Sequence, residues 1–484
     1  MARVLAIDAG TTGVRAIIFA GDGSKLGHAY REIRMFYPRP GWAEQGLAEI
    51  WHKTQAVVSE VLLQAQLAPS AIDAIGITNQ RSSIAAWDAR DLRPLSQLVS
   101  WQDLRAADRA GELQTRGFFV MPNVSVSKAE WIVRNVAEVG NAAAAGTLRL
   151  GGMETWLTAK LTGGAHLCDH ANASATGFYA YVEGNWDTAL LDAVGISREW
   201  MPQIVECNGR LAMTDADVFG AAVPIAALCG DQQASLFGMN CEALGATKCS
   251  YGTSAMVDAS SGKSLKLGGS GTYPLVAWRL AGDERPTWCV EGSVITAGAA
   301  VQWLRDGLGL IRDAAQIGEL ASTVPDSGGV WVVPALQGLG TPFSKSRARG
   351  MIGGLSRASG GPQIARALLE GIAHRVSDVA EAVWAGTGKP VSLRADGGAS
   401  RNDLLLQLQA DFLGLPVERG AEADGSAFGV ARLACQGLSL DEQVLGTRAW
   451  RAQRRFEPVI SEDERQACRS KWVRRAALAC EVDD

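Results

Sequence analysis

The stretch AIDAGTTGVRAIIF, residues 6–19, constrains this chain most. Residues 4–7 form a short apolar run that reads as a strand and ends at Asp8. Ala9, Gly10, Thr11, Thr12 and Gly13 make a tight polar turn, and residues 14–19 return as a second strand. A carboxylate on a strand end, followed at once by glycines and hydroxyls, suits a metal-phosphate site. Glycines permit close backbone approach, successive amides face an anion, and the carboxylate holds a cation directly or through water. An ordinary hairpin with a polar tip is the competing account. The spacing is neither a G-x-G-x-x-G dinucleotide loop nor a G-x-x-x-x-G-K-[ST] loop.

The remaining chain must supply a scaffold for that turn. Its 484 residues are 47% hydrophobic, enough for two or more domains with sizeable cores. A net charge of -5 argues against a nucleic-acid partner and leaves a small phosphorylated ligand open. Five histidines form no H-E-x-x-H motif, and nine cysteines show no C-x-x-C spacing. Reduced thiols in a cytoplasmic protein are the simplest expectation. No signal peptide and no membrane-spanning window is recognised.

Three further strand ends carry polar clusters. A helix is expected from near Leu47 to about Leu67, after the proline-rich loop YPRPGWAEQ. Residues 74–78 read as a strand ending in Asn79, Gln80 and Arg81, with residues 84–87 as its partner and 88–93 as the next turn. Ser100, Trp101, Gln102, Asp103 and Arg105 end an apolar segment and open a helix, and an amphipathic helix is expected over 129–139. The small and aromatic residues of 166–186 read as an excursion beside a cleft. Residues 223–229 form an apolar strand ending in Gly230, Asp231, Gln232 and Gln233, before a helix at 234–237. There Asp231 is either a carboxylate with functional electrostatics at a helix start or only a helix cap.

A second unit begins near Gly245. Residues 246–259, ATKCSYGTSAMVDA, repeat the opening pattern of strand, glycine-threonine turn and strand. Helices are expected at 297–306 and 364–385, with a strand and Gly-rich loop over 330–343. Residues 391–395 form a strand that ends in Asp396, Gly397, Gly398, Ala399, Ser400, Arg401 and Asn402, before a helix at 403–412. That Gly-Gly-Ala turn fits a nucleotide base or sugar resting on it, or is simply a tight turn. The Arg- and Glu-rich tail beyond roughly residue 445 reads as surface helix.

Taken in order, these motifs resemble the FGGY family of carbohydrate kinases, and its glycerol kinases most. The segments are AIDAGTTGVRA (6–16), YPRPGWAEQ (37–45), IGITNQR (75–81), CGDQQASLFG (229–238), YGTSAM (251–256), TAGAAVQWLRD (296–306), ALQGLGTPF (335–343) and RADGGASRND (394–403). The resemblance covers about residues 4–475. It implies an α/β protein with two ribonuclease H-like domains of the actin and hexokinase type, separated by an interdomain cleft. Residues 1–244 would carry most of the acceptor site and 245–484 most of the ATP site. ATP and Mg²⁺ are the implied donor and metal. By resemblance, Asp231 is the base that takes the proton of the acceptor hydroxyl, and Asp8 organises Mg²⁺ together with Asp231. Thr11, Thr12 and Arg15 lie near the transferring phosphate, with Thr253 on the other domain. Gly298, Gln302, Gly398, Ala399 and Asn402 match positions around ATP. Homodimers or homotetramers are frequent in the family.

The acceptor positions diverge. Arg81, Trp101, Asp231 and Gln232 match the glycerol kinase pattern. Its glutamate is Ser82 here (NQRSS rather than NQRET), its tyrosine is Asn123, and its phenylalanine is Met256. A serine does not replace a carboxylate that accepts from two hydroxyls, and the smaller side chains leave room for a longer acceptor. Segment 216–228 lacks the arginine of the family's fructose bisphosphate loop, and Phe343, Ser344, Lys345 and Ser346 depart from its usual aromatic-Trp-Asp-Pro. The expected function is ATP-dependent phosphorylation of a small polyol, glycerol or a close relative. The alternative is a kinase for a four- or five-carbon polyol or ketose such as xylulose or ribulose. A non-catalytic nucleotide-binding scaffold is the third reading.

Overall fold

The computed structural model describes residues 2–422, 424–440 and 450–481. Contacts divide the chain into two units. The first comprises Met1–Gly238, Val276–Pro286 and Ser426–Ala449, and the second Met239–Leu275, Thr287–Gly425 and Trp450–Asp484. Two segments that follow residue 245 therefore cluster with the first unit.

The first unit is built on six strands: β1 (Arg3–Ala9), β2 (Gly13–Ala20), β3 (Lys25–Glu32), β4 (Ala74–Asn79), β5 (Asn208–Met213) and β6 (Pro224–Gly230). Their order in the sheet is β5-β6-β4-β1-β2-β3. β1, β4 and β6 are near-continuous apolar runs because both faces are covered. Leu5, Ile7, Ile75, Ile77, Ile225 and Leu228 join Val57 and Val61 of helix α1 (Leu47–Ala65) in one core. Trp87 and Trp156 meet edge to face there, with ring centroids 5.4 Å apart.

Register places the site. β1 and β6 both run parallel to β4, with Asp8 and Cys229 each opposite Thr78, and Ala9 and Gly230 each opposite Asn79. The chain therefore leaves all three strands at one edge of the sheet. That edge collects the β1–β2 turn, the Gln80–Ser83 segment and the start of helix α3 (Asp231–Gly238).

Several local expectations are revised. Ala85–Asp88 pairs antiparallel with Leu148–Gly151, not with β4, whose two sides are taken by β1 and β6. The helix expected over 129–139 begins earlier, as α2 (Ser125–Asn135), and stops where Val136 turns extended before Ala137–Ala144. The helix expected after Ser100 begins only at Ala107, and Asp231 opens α3 three residues before the expected start.

The second unit repeats the hairpin logic. A seven-stranded sheet has the order β9-β10-β8-β7-β11-β12-β13, made of β7 (Thr247–Tyr251), β8 (Ala255–Gly262), β9 (Tyr273–Trp278, of which residues 276–278 cluster with the first unit), β10 (Thr287–Val294), β11 (Leu393–Asp396), β12 (Val417–Gly420) and β13 (Ala452–Phe456). Helices α4 (Gly298–Asp306), α5 (Gly361–Thr387), α6 (Asp403–Leu413) and α7 (Glu462–Cys480) follow. Val257, Val290, Leu369, Val376, Leu393 and Leu406 lie in its core. The Arg-rich tail is thus a strand and then a helix, and residues 445–449 of that expectation lie outside the described residues.

Candidate active site

In the first unit the β1–β2 turn is closed by a bond from the Gly10 amide to the Gly13 carbonyl at 3.0 Å. It is fixed from below by two glutamines. Gln80 Nε2 donates to Gln45 Oε1 at 2.6 Å and to the Gly10 carbonyl at 3.4 Å, while the Gln80 amide donates to the Ala9 carbonyl at 2.9 Å. Gln45 Nε2 donates to the Thr11 carbonyl at 2.8 Å. The Thr11 hydroxyl donates to Gln80 Oε1 at 3.3 Å and accepts from Trp101 Nε1 at 3.0 Å. Gln45 and Gln80 are buried, so a network satisfied this fully holds the turn in one geometry. Sequence reading placed both glutamines inside motifs but not in the site. Their partners lie 34 to 70 residues away and leave no local signal.

Two carboxylates stand at this edge, each beside an arginine. Arg15 Nη1 is 3.7 Å from Asp8 Oδ2, and Arg81 Nε is 3.4 Å from Asp231 Oδ1. Asp231 is half-buried, and its Oδ1 also accepts from the Gln232 amide at 2.8 Å. Gly230 precedes it because a Cβ there would stand 2.6 Å from Arg81 Cδ. Mg²⁺ is usually held by one or two carboxylates with substrate phosphates and water completing its shell. Asp8 and Asp231 fit that donor set. Among the described residues, no group of three or more His, Cys, Asp or Glu forms a self-sufficient metal cage.

The segments bearing the acceptor candidates are joined through backbone. Ser82 adopts φ +60°, its hydroxyl donates to the Ala175 carbonyl at 2.7 Å, and its carbonyl accepts from Lys128 Nζ at 2.9 Å. Asn123 is half-buried, and its carbonyl accepts from the same ammonium at 2.7 Å. The Trp101 amide donates to Ser83 Oγ at 3.1 Å. Under this edge lies a buried polar layer. Asn79 Nδ2 donates to Glu154 Oε2 at 3.0 Å and to Asn172 Oδ1 at 3.1 Å, and Asn172 Nδ2 donates to Asp169 Oδ1 at 2.6 Å. Burial, aided by the nearby Asp169 charge, pushes the Glu154 carboxyl up to about 7. The first unit thus brings together Asp8, Thr11, Thr12, Arg15, Arg81, Ser82, Trp101, Asn123, Asp231 and Gln232. Met256 is the exception among the acceptor candidates, standing on β8 of the second unit between Ser250 and Ser293.

The second unit groups the other candidates. The Thr253 carbonyl accepts from the amides of Ala297 and Ala299 at 3.1 and 3.0 Å, so the start of α4, with Gly298, sits on the β7–β8 turn. The loop after β11 packs on the same strand. Gly397 has φ +84°, and a Cβ there would meet the Tyr251 carbonyl oxygen at 2.6 Å, so only glycine fits. Ser250 Oγ donates to Asp396 Oδ1 at 2.5 Å. Gly398 is exposed and Ala399 half-buried. Asn402 caps α6, accepting from the Leu405 amide at 3.1 Å, and Gly318 approaches its side chain. Gln302 is exposed on α4, one turn beyond Gly298.

Two α/β units, each opening on a strand-turn-strand hairpin in a mixed sheet, define the ribonuclease H-like fold of actin- and hexokinase-type kinases. The chain belongs to the FGGY family of carbohydrate kinases: the model of its N-terminal domain matches residues 3–238 and that of its C-terminal domain residues 247–438. A glycerol kinase of Carboxydothermus hydrogenoformans is 40% identical over 99% of this chain and 98% of its own length. One of Trichlorobacter lovleyi is 40% identical over 98% of both chains. Among solved structures, a xyloylose kinase from Brucella ovis superposes with a TM-score of 0.85 at 26% identity, covering 98% of both chains. The fold is also that of a Plasmodium falciparum glycerol kinase solved with ADP, with a TM-score of 0.90 at 24% identity over 100% of this chain and 99% of that one.

Proposed function

We propose that this chain transfers the terminal phosphoryl group of ATP to a hydroxyl of glycerol or a closely related small polyol, giving ADP and the polyol phosphate. One observation carries the reading. Asp8, near the end of β1, and Asp231, the first residue past β6, stand at the same end of two strands that both run parallel to β4, each beside an arginine. Relatives of 40% identity over nearly the whole chain, named as glycerol kinases, support the acceptor class.

Phosphoryl transfer asks for placement and charge neutralisation more than covalent chemistry. Asp231 accepts the proton of the attacking hydroxyl, and Arg81 orients that carboxylate. Thr11, Thr12, Arg15 and Thr253 are the residues assigned to the transferring phosphate. Gly298, Gln302, Gly398, Ala399 and Asn402 bind the nucleotide. Asp8 and Asp231 would hold Mg²⁺, which when bound neutralises charge on the phosphates. Arg81, Trp101, Asn123 and Gln232 contact the polyol.

A kinase for a four- or five-carbon polyol or ketose is the second reading. It is favoured by Ser82, whose hydroxyl hydrogen is given to the Ala175 carbonyl and which supplies no carboxylate. The test of the base is Asp231→Asn. Phosphoryl transfer should fall by about 10²–10⁴-fold, with ATP binding retained; transfer at the wild-type rate would contradict the assignment.

A further inference from the structure

Lys128, on the first turn of α2, is fully buried. An ammonium has three N–H donors and no acceptor. All three have partners, and each partner is a backbone carbonyl: Ser82 at 2.9 Å, Ser100 at 3.0 Å and Asn123 at 2.7 Å. Among the described residues, no carboxylate lies within ion-pair distance of its Nζ. The charges nearest in effect, Asp103 and Arg105, are paired with each other at 2.8 Å. A buried ammonium without a counter-ion is an expensive way to anchor a helix, for which an apolar residue would serve. Its placement has a pattern. The three carbonyls belong to three separate segments, and those segments carry Arg81 and Ser82, Trp101, and Asn123. Two of the segments also meet through the Ile84–Val99 backbone bridge and the bond from the Trp101 amide to Ser83 Oγ, while Lys128 bonds to all three.

We propose that Lys128 is a positioning residue for the acceptor: through three carbonyls it fixes the relative placement of the three segments that contact the polyol. The inference rests on the reading of Arg81, Trp101 and Asn123 as acceptor residues. Lys128 touches no substrate; it acts through the backbone of residues that do. A norleucine-like side chain of the same length could fill the volume, but it could not hold three carbonyls toward one point. The three oxygens would then repel one another or turn toward water, and the loops would spread.

The test is steady-state kinetics of the full chain with ATP, Mg²⁺ and glycerol, for the wild type, Lys128→Met, Lys128→Gln and Trp101→Ala. Lys128→Met should raise the KM for glycerol by about tenfold or more while the KM for ATP stays within about twofold, with Lys128→Gln, which keeps two donors, in between. A fall in kcat with both KM values unchanged would mean only a smaller folded fraction and would overturn the proposal. So would an equal rise in both KM values. If neither lysine variant folds, Lys128 serves stability alone and the proposal fails. Trp101→Ala separates the two claims. A raised glycerol KM in Trp101→Ala but not in Lys128→Met leaves the acceptor reading intact and removes the inference. An unchanged glycerol KM in both removes the acceptor reading itself.

Discussion

Arg81 Nε stands 3.4 Å from Asp231 Oδ1, and their side chains are 10% and 26% exposed. The pair joins two strand ends, since Arg81 follows β4 and Asp231 follows β6. A guanidinium in this position sets the orientation of the carboxylate without taking its proton, because arginine stays charged at every working pH. The proposed base is therefore held by the element next to it in the sheet, and its direction depends on that neighbour.

Removing the guanidinium should be visible in turnover. Arg81→Met deletes a charge-assisted contact worth about 1.5–3 kcal/mol, and kcat/KM for the acceptor is expected to fall by roughly 10- to 150-fold. The KM for ATP should change little. Steady-state kinetics with each substrate varied in turn checks this. An effect confined to ATP would move Arg81 to the other substrate.

The loop proposed to bind the nucleotide depends on one glycine. Gly397→Ala places a methyl group against the Tyr251 carbonyl at a residue with φ +84°. Strain of about 1–3 kcal/mol is expected there. The loop can relieve it only by lifting Gly398 and Ala399 away from β7. The KM for ATP should rise while that for glycerol is retained, and ATP titration by calorimetry measures the change directly.

A pH dependence of stability follows from Glu154. Burial holds its carboxyl at about 7 in the folded chain, against an ordinary value of 4.5. Between those values the unfolded chain has released the proton and the folded chain has not, so this group's contribution to stability is present below pH 4.5 and is lost as pH rises through 7. Glu154→Gln still accepts from Asn79 and can donate to the Thr155 hydroxyl. The variant should flatten that loss and gain up to about 3 kcal/mol at pH 8. Denaturant unfolding at pH 5 and pH 8 gives both numbers. An unchanged slope would assign the pH dependence to other groups.

Local patterning in the sequence carried part of the candidate site. Asp8, Asp231 and the Gly397–Ala399 turn each end an apolar run, and such runs are buried strands whose ends share an edge when the strands are parallel. Parts set by tertiary hydrogen bonds were not legible. Gln45 and Gln80 look like ordinary loop polars until the fold brings them 2.6 Å apart. Lys128 stands one residue before the amphipathic helix expected over 129–139, and nothing local marks it as buried. The partner of Ala85–Asp88 lies some 60 residues on, at Leu148–Gly151, and strand pairing at that distance has no sequence signature. Ser82, Asn123 and Met256 were identified as the divergent positions. The fold assigns the first two to one unit and the third to the other.

The most direct test of the central claim is kcat/KM for phosphoryl transfer from ATP to glycerol, measured beside erythritol, xylitol, ribitol, xylulose, ribulose and dihydroxyacetone on the same enzyme. Glycerol or the polyol nearest to it in size is expected to be the best acceptor. Asp231→Asn is expected to lower turnover by about 10²–10⁴-fold across the whole panel. A pentulose preferred by a wide margin would contradict the acceptor assignment, and no acceptor raising ADP formation above hydrolysis by water would contradict the kinase itself.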